Sequence, residues 1–171
     1  FGSSALSGNT SGTSNTAIGF QALNVNAAAS NNTALGAYAM LNTTSGGNNA
    51  AVGFNALKNN DTGTKNVAIG SQALGSNATS SNLVSNVAIG YMAGGLMTTG
   101  YGNVVIGEET GKNITTGFDN VWIGKMIGNS GTLTYSNSVA IGLDVTIGGT
   151  NTVRIGNSAM TSIGGQVGWS T

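Results

Sequence analysis

Few side chains in this sequence could do chemistry. Histidine and cysteine are absent from its 171 residues, so neither a His-assisted nucleophile nor a Cys/His zinc site can be built, and no disulfide can form. The carboxylates are Asp61, Glu108, Glu109, Asp119 and Asp144. Glu108 and Glu109 come nearest to a glycosidase pair. That reaction needs two facing carboxyls roughly 5 to 9 Å apart, whereas adjacent residues of a strand point to opposite sides. Gly107-Glu108-Glu109-Thr110-Gly111-Lys112-Asn113 brushes against a phosphate-binding loop. It has three residues between its glycines where that loop has four, and asparagine where a hydroxyl residue follows the lysine. Triplets such as Asn9-Thr10-Ser11 and Asn113-Ile114-Thr115 follow from a composition rich in Asn and Thr, and carry little weight as glycosylation sites. No catalytic residue, cofactor or metal ligand is expected, and the chain reads as non-enzymatic.

A chain without such groups must act through its surface, and its composition bears on which surface. Charged residues make up 6% against roughly 25% in an average domain, so few side chains solvate the fold and the backbone must satisfy itself. Mean hydropathy is +0.10 and net charge is zero, the opposite of a disordered composition. Zero net charge exerts no pull on nucleic acid or anionic membrane. The most apolar stretch, Val87 to Met97, is broken by three glycines and falls well short of the roughly 18 residues of a spanning helix, so membrane insertion is not expected. The sequence opens on Phe1, already inside a repeat, which suits a segment or a processed product.

The positioning elements come from that repeat. A motif Asn-x-Ala-Ile-Gly places its glycine at Gly2, Gly19, Gly36, Gly53, Gly70, Gly90, Gly107, Gly124, Gly142 and Gly156, in steps of 17, 17, 17, 17, 20, 17, 17, 18 and 14. Four places earlier stand Asn15, Asn32, Asn49, Asn66, Asn86, Asn103 and Asn120. One place earlier runs an aliphatic column from Ile18 to Ile155, and three places earlier a column that drifts from Thr16 to Val153. These two columns share a strand face, while Ala17, Ala34, Ala51, Ala68 and Ala88 lie on the other. A 17-residue coil is too short for a helical hairpin repeat. It suits short strands and tight turns stacked about 4.8 Å apart, with asparagines forming an amide ladder. The fold expected is all-β, a parallel β-solenoid of about nine coils, on the order of 45 Å long at that rise.

Further expectations follow from the columns. The aliphatic column is expected inside the coil. The alanine column is expected outside, where close packing of parallel copies would cover it, making Ala17, Ala34, Ala51, Ala68 and Ala88 the oligomer interface. Its replacement by Val105, Trp122 and finally Arg154 suggests a boundary near residues 96 to 104, with an axis that widens or coils that rotate. The 20-residue step is expected as a bulged turn between Gly75 and Leu83, and Glu108 and Lys125, 17 apart, as an ion pair between neighbouring coils. Phe20, Phe54 and Tyr91 share the column after the motif glycine, with Ala37 and Ser71 between them. They are the candidate receptor contact, a stripe on which sugar rings could stack; the plainer reading is that they cover an edge or fill a gap between chains. Residues 1–143 read as the repeat roll and 144–171 as a neck.

The motifs Asn15-Thr16-Ala17-Ile18-Gly19 and Asn66-Val67-Ala68-Ile69-Gly70 resemble the head repeats of trimeric autotransporter adhesins. That resemblance implies a left-handed parallel β-roll with three chains around one axis. The 17-residue step is longer than the adhesin coil and must carry a longer turn, as in segments of viral fibre shafts. Asn151-Thr152-Val153-Arg154-Ile155-Gly156-Asn157, with Thr161-Ser162-Ile163-Gly164-Gly165 and Trp169-Ser170-Thr171, is similar to the stretch before an endosialidase-type intramolecular chaperone. It implies a reading frame continuing past Thr171 and cleavage there. The function implied is a homotrimeric fibre shaft or head of a phage or virus, extracellular on the virion, presenting a multivalent surface to a host receptor such as a glycan. The alternative is a bacterial surface adhesin head. A Thr-rich ice-binding solenoid is a third reading, on Thr44, Thr98, Thr115 and Thr132, a column interrupted by Ala27, Asp61 and Ala78.

Overall fold

The computed structural model describes residues 2–75 and 81–162. They form one parallel sheet whose nine strands follow chain order, wound as a β-solenoid of about 8 turns with no helix. The strands are β1 (Thr16–Ile18), β2 (Thr33–Leu35), β3 (Ala50–Val52), β4 (Val67–Ile69), β5 (Val87–Ile89), β6 (Val104–Ile106), β7 (Val121–Lys125), β8 (Val139–Leu143) and β9 (Val153–Ile155). Each pairs with the next in motif register, Ala17 opposite Ala34 and Ala68 opposite Ala88. The 20-residue step therefore adds no strand among the described residues; residues 76–80 lie outside them. The 14-residue last step still sets Val139 opposite Val153, so the ladder continues beyond residue 143.

The strands stop where they do because of the motif glycine. After β1 to β6 it follows the strand directly with φ between 122° and 136°, a region that L-residues avoid. A Cβ on Gly53 would lie 2.6 Å from the backbone of Gly70 in the next coil, so the corner column has no room for a side chain. Two positions further, left-handed residues such as Gln21, Tyr38, Asn55 and Gln72 continue the bend, and Ser14, Asn31, Asn48 and Lys65 make the turn before the strand.

The faces are the reverse of the sequence expectation. Ala34, Ala51, Ala68 and Ala88 are fully buried inside the coil, while Ile18, Leu35 and Ile141 are each 43% exposed. The alanine column is core and cannot be an oligomer interface. The physical reason is width: each coil also sends inward the pair three and four places after the glycine, Ala22-Leu23, Ala39-Met40, Ala56-Leu57 and Ala73-Leu74, all fully buried. With a Leu or Met already spanning the thin interior, only a methyl group fits opposite. Burying each such Leu or Met contributes about 1.5–3 kcal/mol.

The change from Ala88 to Val105 and Trp122 is likewise internal rather than a widening axis. From Gly94 onward the position held earlier by Leu or Met is Gly94, Gly111 and Gly128, and the strand side chain takes up the vacated volume. A Cβ on Gly111 would stand 2.8 Å from Val105 and 3.1 Å from Ile114. In the same coils Met97, Ile114 and Leu133 line the core where Asn26, Thr43 and Asn60 stand earlier. The transition falls at Gly94 to Met97, at the edge of the boundary the sequence suggests.

The asparagine ladder is present. Asn49, Asn66, Asn86, Asn103 and Asn120 each donate from Nδ2 to the Oδ1 of the asparagine one coil earlier, at 2.8 to 3.2 Å. The second amide hydrogen goes to a carbonyl one coil later: Gly63, Leu83, Gly100, Gly117 and Tyr135 in turn. Each Oδ1 from Asn15 to Asn103 also accepts the backbone N–H of the next asparagine. Ser138 closes the ladder, its Oγ donating to Asn120 Oδ1 at 2.6 Å and accepting from Trp122 Nε1 at 2.9 Å. The buried amides from Asn49 to Asn103 are thus satisfied along the axis, which is why so polar a column can be buried.

Candidate interaction surfaces

The largest feature outside the core is the outer face of the sheet. It carries two aliphatic columns, one ending in Val153 and the other in Ile155. Ile69, Ile89 and Ile123 are 41%, 36% and 40% exposed. β7 and β8 extend through their glycines to Lys125 and Leu143 with the same alternation, which puts the position after the glycine on this face as a third column. The flanking columns change along the rod. The position three before the glycine is Thr16 and Thr33 at one end and Val at the other; the position after it holds Phe20, Phe54 and Tyr91 early, then Glu108 and Lys125.

Two of the three candidate contact aromatics are brought together, by a residue the sequence reading missed. Tyr38, with φ 59°, sets its ring between those of Phe20 and Phe54, whose column holds Ala37 in the coil between them. It meets Phe20 edge-on at 5.3 Å between centroids and Phe54 at 5.9 Å, and the Lys58 ammonium stands 5.8 Å from the Tyr38 ring centre. Tyr91 is separated from this group by Ser71 and its coil. A second aromatic pair, Tyr101 and Phe118, stacks in parallel at 4.8 Å six places before the glycine, a position the column reading passed over. Only adjacency in the 17-residue register signals either pair.

Two ion pairs occur among the described residues. Lys125 bonds Glu108 at 2.8 Å, the inter-coil pair expected from spacing, and Lys112 bonds Glu109 at 3.0 Å. The two glutamates thus answer to different lysines. In the loop resembling a phosphate cradle, the amides of Glu109, Thr110, Gly111 and Lys112 all donate to backbone carbonyls, so these four are not available to hold an anion. The threonine column is also engaged: Thr44 donates to the Asp61 carboxylate, Thr98 to the Thr115 carbonyl and Thr115 to that of Leu133. Thr132 falls out of the column, since Leu133 pairs with Ile114. Among the described residues no group of three or more carboxylates could hold a metal, and no helix is long and apolar enough to cross a membrane.

Comparison with known proteins adds no relative. The chain matches no protein-family model, no curated protein and no solved structure. What it can do is therefore argued from its own surfaces.

Proposed function

We propose that this chain is a non-catalytic structural module that assembles in parallel with copies of itself and displays one repeated surface several times over, as the shaft or head of a phage or viral attachment fibre. The observation that carries the reading is the outward Val/Ile face. Two columns on nine strands give eighteen side chains, all apolar except Thr16 and Thr33, and an ordinary interface takes roughly 20–30 residues and about 800 Å² from each partner. Exposed apolar patches of that order mark sites of association. The face replaces the alanine column as the surface between copies. Its gradient favours parallel partners, which set Thr16 and Thr33 beside their own kind and valine beside valine. The number three rests on the resemblance to trimeric adhesin heads. Multivalency then turns weak contacts into firm attachment. A bacterial surface adhesin head is the alternative on the same architecture, and the internal use of the Thr44, Thr98 and Thr115 hydroxyls disfavours ice binding.

Sedimentation equilibrium at micromolar concentration is the test. The chain is expected at three times its monomer mass, and Ile69→Lys is expected to yield a smaller species with the β-sheet circular dichroism retained, because the lysine points away from the core. A wild-type chain that is folded and monomeric would overturn the reading. Ala68→Glu, by contrast, probes the core and is expected to unfold the coil, since it buries an unpaired charge.

A further inference from the structure

We infer that the Phe20–Tyr38–Phe54 corner is a docking surface for an acidic polysaccharide, which gives the attachment module proposed above its class of receptor and rests on that reading. The three rings form a continuous edge-to-face series along the rod, with centroid steps of 5.3 and 5.9 Å. Those steps are close to the length of one pyranose unit in an extended glycan. Strand spacing sets their scale at about 4.8 Å per coil; neighbouring rings stand nearly perpendicular, so Phe20 and Phe54, two coils apart, offer apolar platforms to alternate sugars with Tyr38 between them. Phe20 and Phe54 are 44% and 47% exposed, and Tyr38 is half-buried.

The neighbours of these rings suit sugars better than a second apolar surface. In the same column as Tyr38 stand Gln21 and Gln72, both half-exposed, and Asn55, whose carboxamide oxygen is buried. Carboxamides are adaptable partners for hydroxyl groups, and rings supply the apolar faces that pyranose C–H groups cover. The Lys58 ammonium beside Tyr38 selects for a carboxylate on the sugar. Asp61, three residues beyond Lys58, directs its carboxylate to Thr44. The corner lies at the rim of the Val/Ile face, past the two aliphatic columns, and the rim of an interface stays accessible to solvent. The Tyr101–Phe118 pair makes a contrasting case. Its rings stack face to face, spend those faces on each other, and have no such run of carboxamides in register.

The test uses the assembled chain and two defined probes, a sialic-acid oligosaccharide and a neutral glucan oligosaccharide of equal length, read by saturation-transfer NMR and titration calorimetry. The acidic probe is expected to bind saturably, with weaker binding in higher salt. Tyr38→Asn, which keeps a residue tolerant of the left-handed backbone, and Phe54→Ser, which copies Ser71 of the next coil, are each expected to weaken binding about tenfold. Lys58→Gln is expected to bring the acidic probe down to the affinity of the neutral one, and Phe118→Ala to change nothing. No saturable binding at millimolar probe, or binding indifferent to Tyr38→Asn and Phe54→Ser, would overturn the inference. So would a change in sedimented mass on Tyr38→Asn, which would make the corner an interface between copies. The sedimented mass of the wild-type assembly is measured separately, so loss of the glycan inference leaves the assembly reading to stand on its own result.

Discussion

The residue that decides most about this molecule is the asparagine four places before each glycine. The Asn66 side chain makes four bonds: to Asn49 Oδ1, to the Leu83 carbonyl, and from the backbone and side chain of Asn86. Asn66→Leu would leave both Asn86 donors searching for partners in a buried site, while the Leu83 carbonyl would keep only the Thr64 N–H. Orphaned buried groups cost about 1–3 kcal/mol each, so a loss of roughly 3–5 kcal/mol and a clearly lowered midpoint in thermal unfolding are expected. Asn15→Leu, at the half-exposed start of the ladder, is expected to cost far less. This part of the fold was legible in advance, because a polar column repeated at fixed spacing can only be buried if it bonds to itself. Tyr38 was not legible. Its column holds Gln21, Asn55 and Gln72, and nothing in one dimension says that its ring stands between those of Phe20 and Phe54.

At the scale of the coil, two arrangements fill one cross-section. Early coils place Leu or Met after the turn and Ala on the strand; later coils place Gly after the turn and Val or Trp on the strand. The two positions are therefore coupled. Val105→Ala alone should leave a cavity, and Gly111→Leu alone should force a side chain into Val105 and Ile114; the double variant restores the earlier arrangement. A double-mutant cycle by chemical denaturation is expected to show favourable coupling on the order of 1–3 kcal/mol. Additivity would mean that the coils do not share this volume. Here the sequence was readable in its columns and misread in its faces. Alternation says which residues lie together on one side of a strand, but not which side is inside. The larger side chains look like the core until the width already taken by Leu23, Met40, Leu57 and Leu74 is counted.

For the whole molecule the open question of arrangement can be asked chemically, because the chain has no cysteine of its own. Ile18→Cys places one thiol on the outer face at one end of the sheet, where Ile18 is 43% exposed. In a parallel, level assembly these thiols meet, and mild oxidation is expected to give a covalent dimer on denaturing gels; an antiparallel pairing leaves them most of a rod length apart and monomeric. The architecture itself, short parallel strands on a 17-residue winding, was plain from the glycine spacing. The surface proposed between copies was not legible, since its mark is exposed aliphatics, and exposure is a property of the folded coil.

The axial bonding of the asparagine and glycine columns also bears on descent. Each coil answers inwardly to the coils above and below, through residues that recur almost unchanged, while the positions just after the glycine point outward and vary from Phe20 to Ala37 to Ser71. Letters in those outer places can be exchanged, and whole coils duplicated or dropped, without renegotiating the interior. In the attachment role proposed above, a lineage can thus rewrite what the rod touches one coil at a time while inheriting the rod intact.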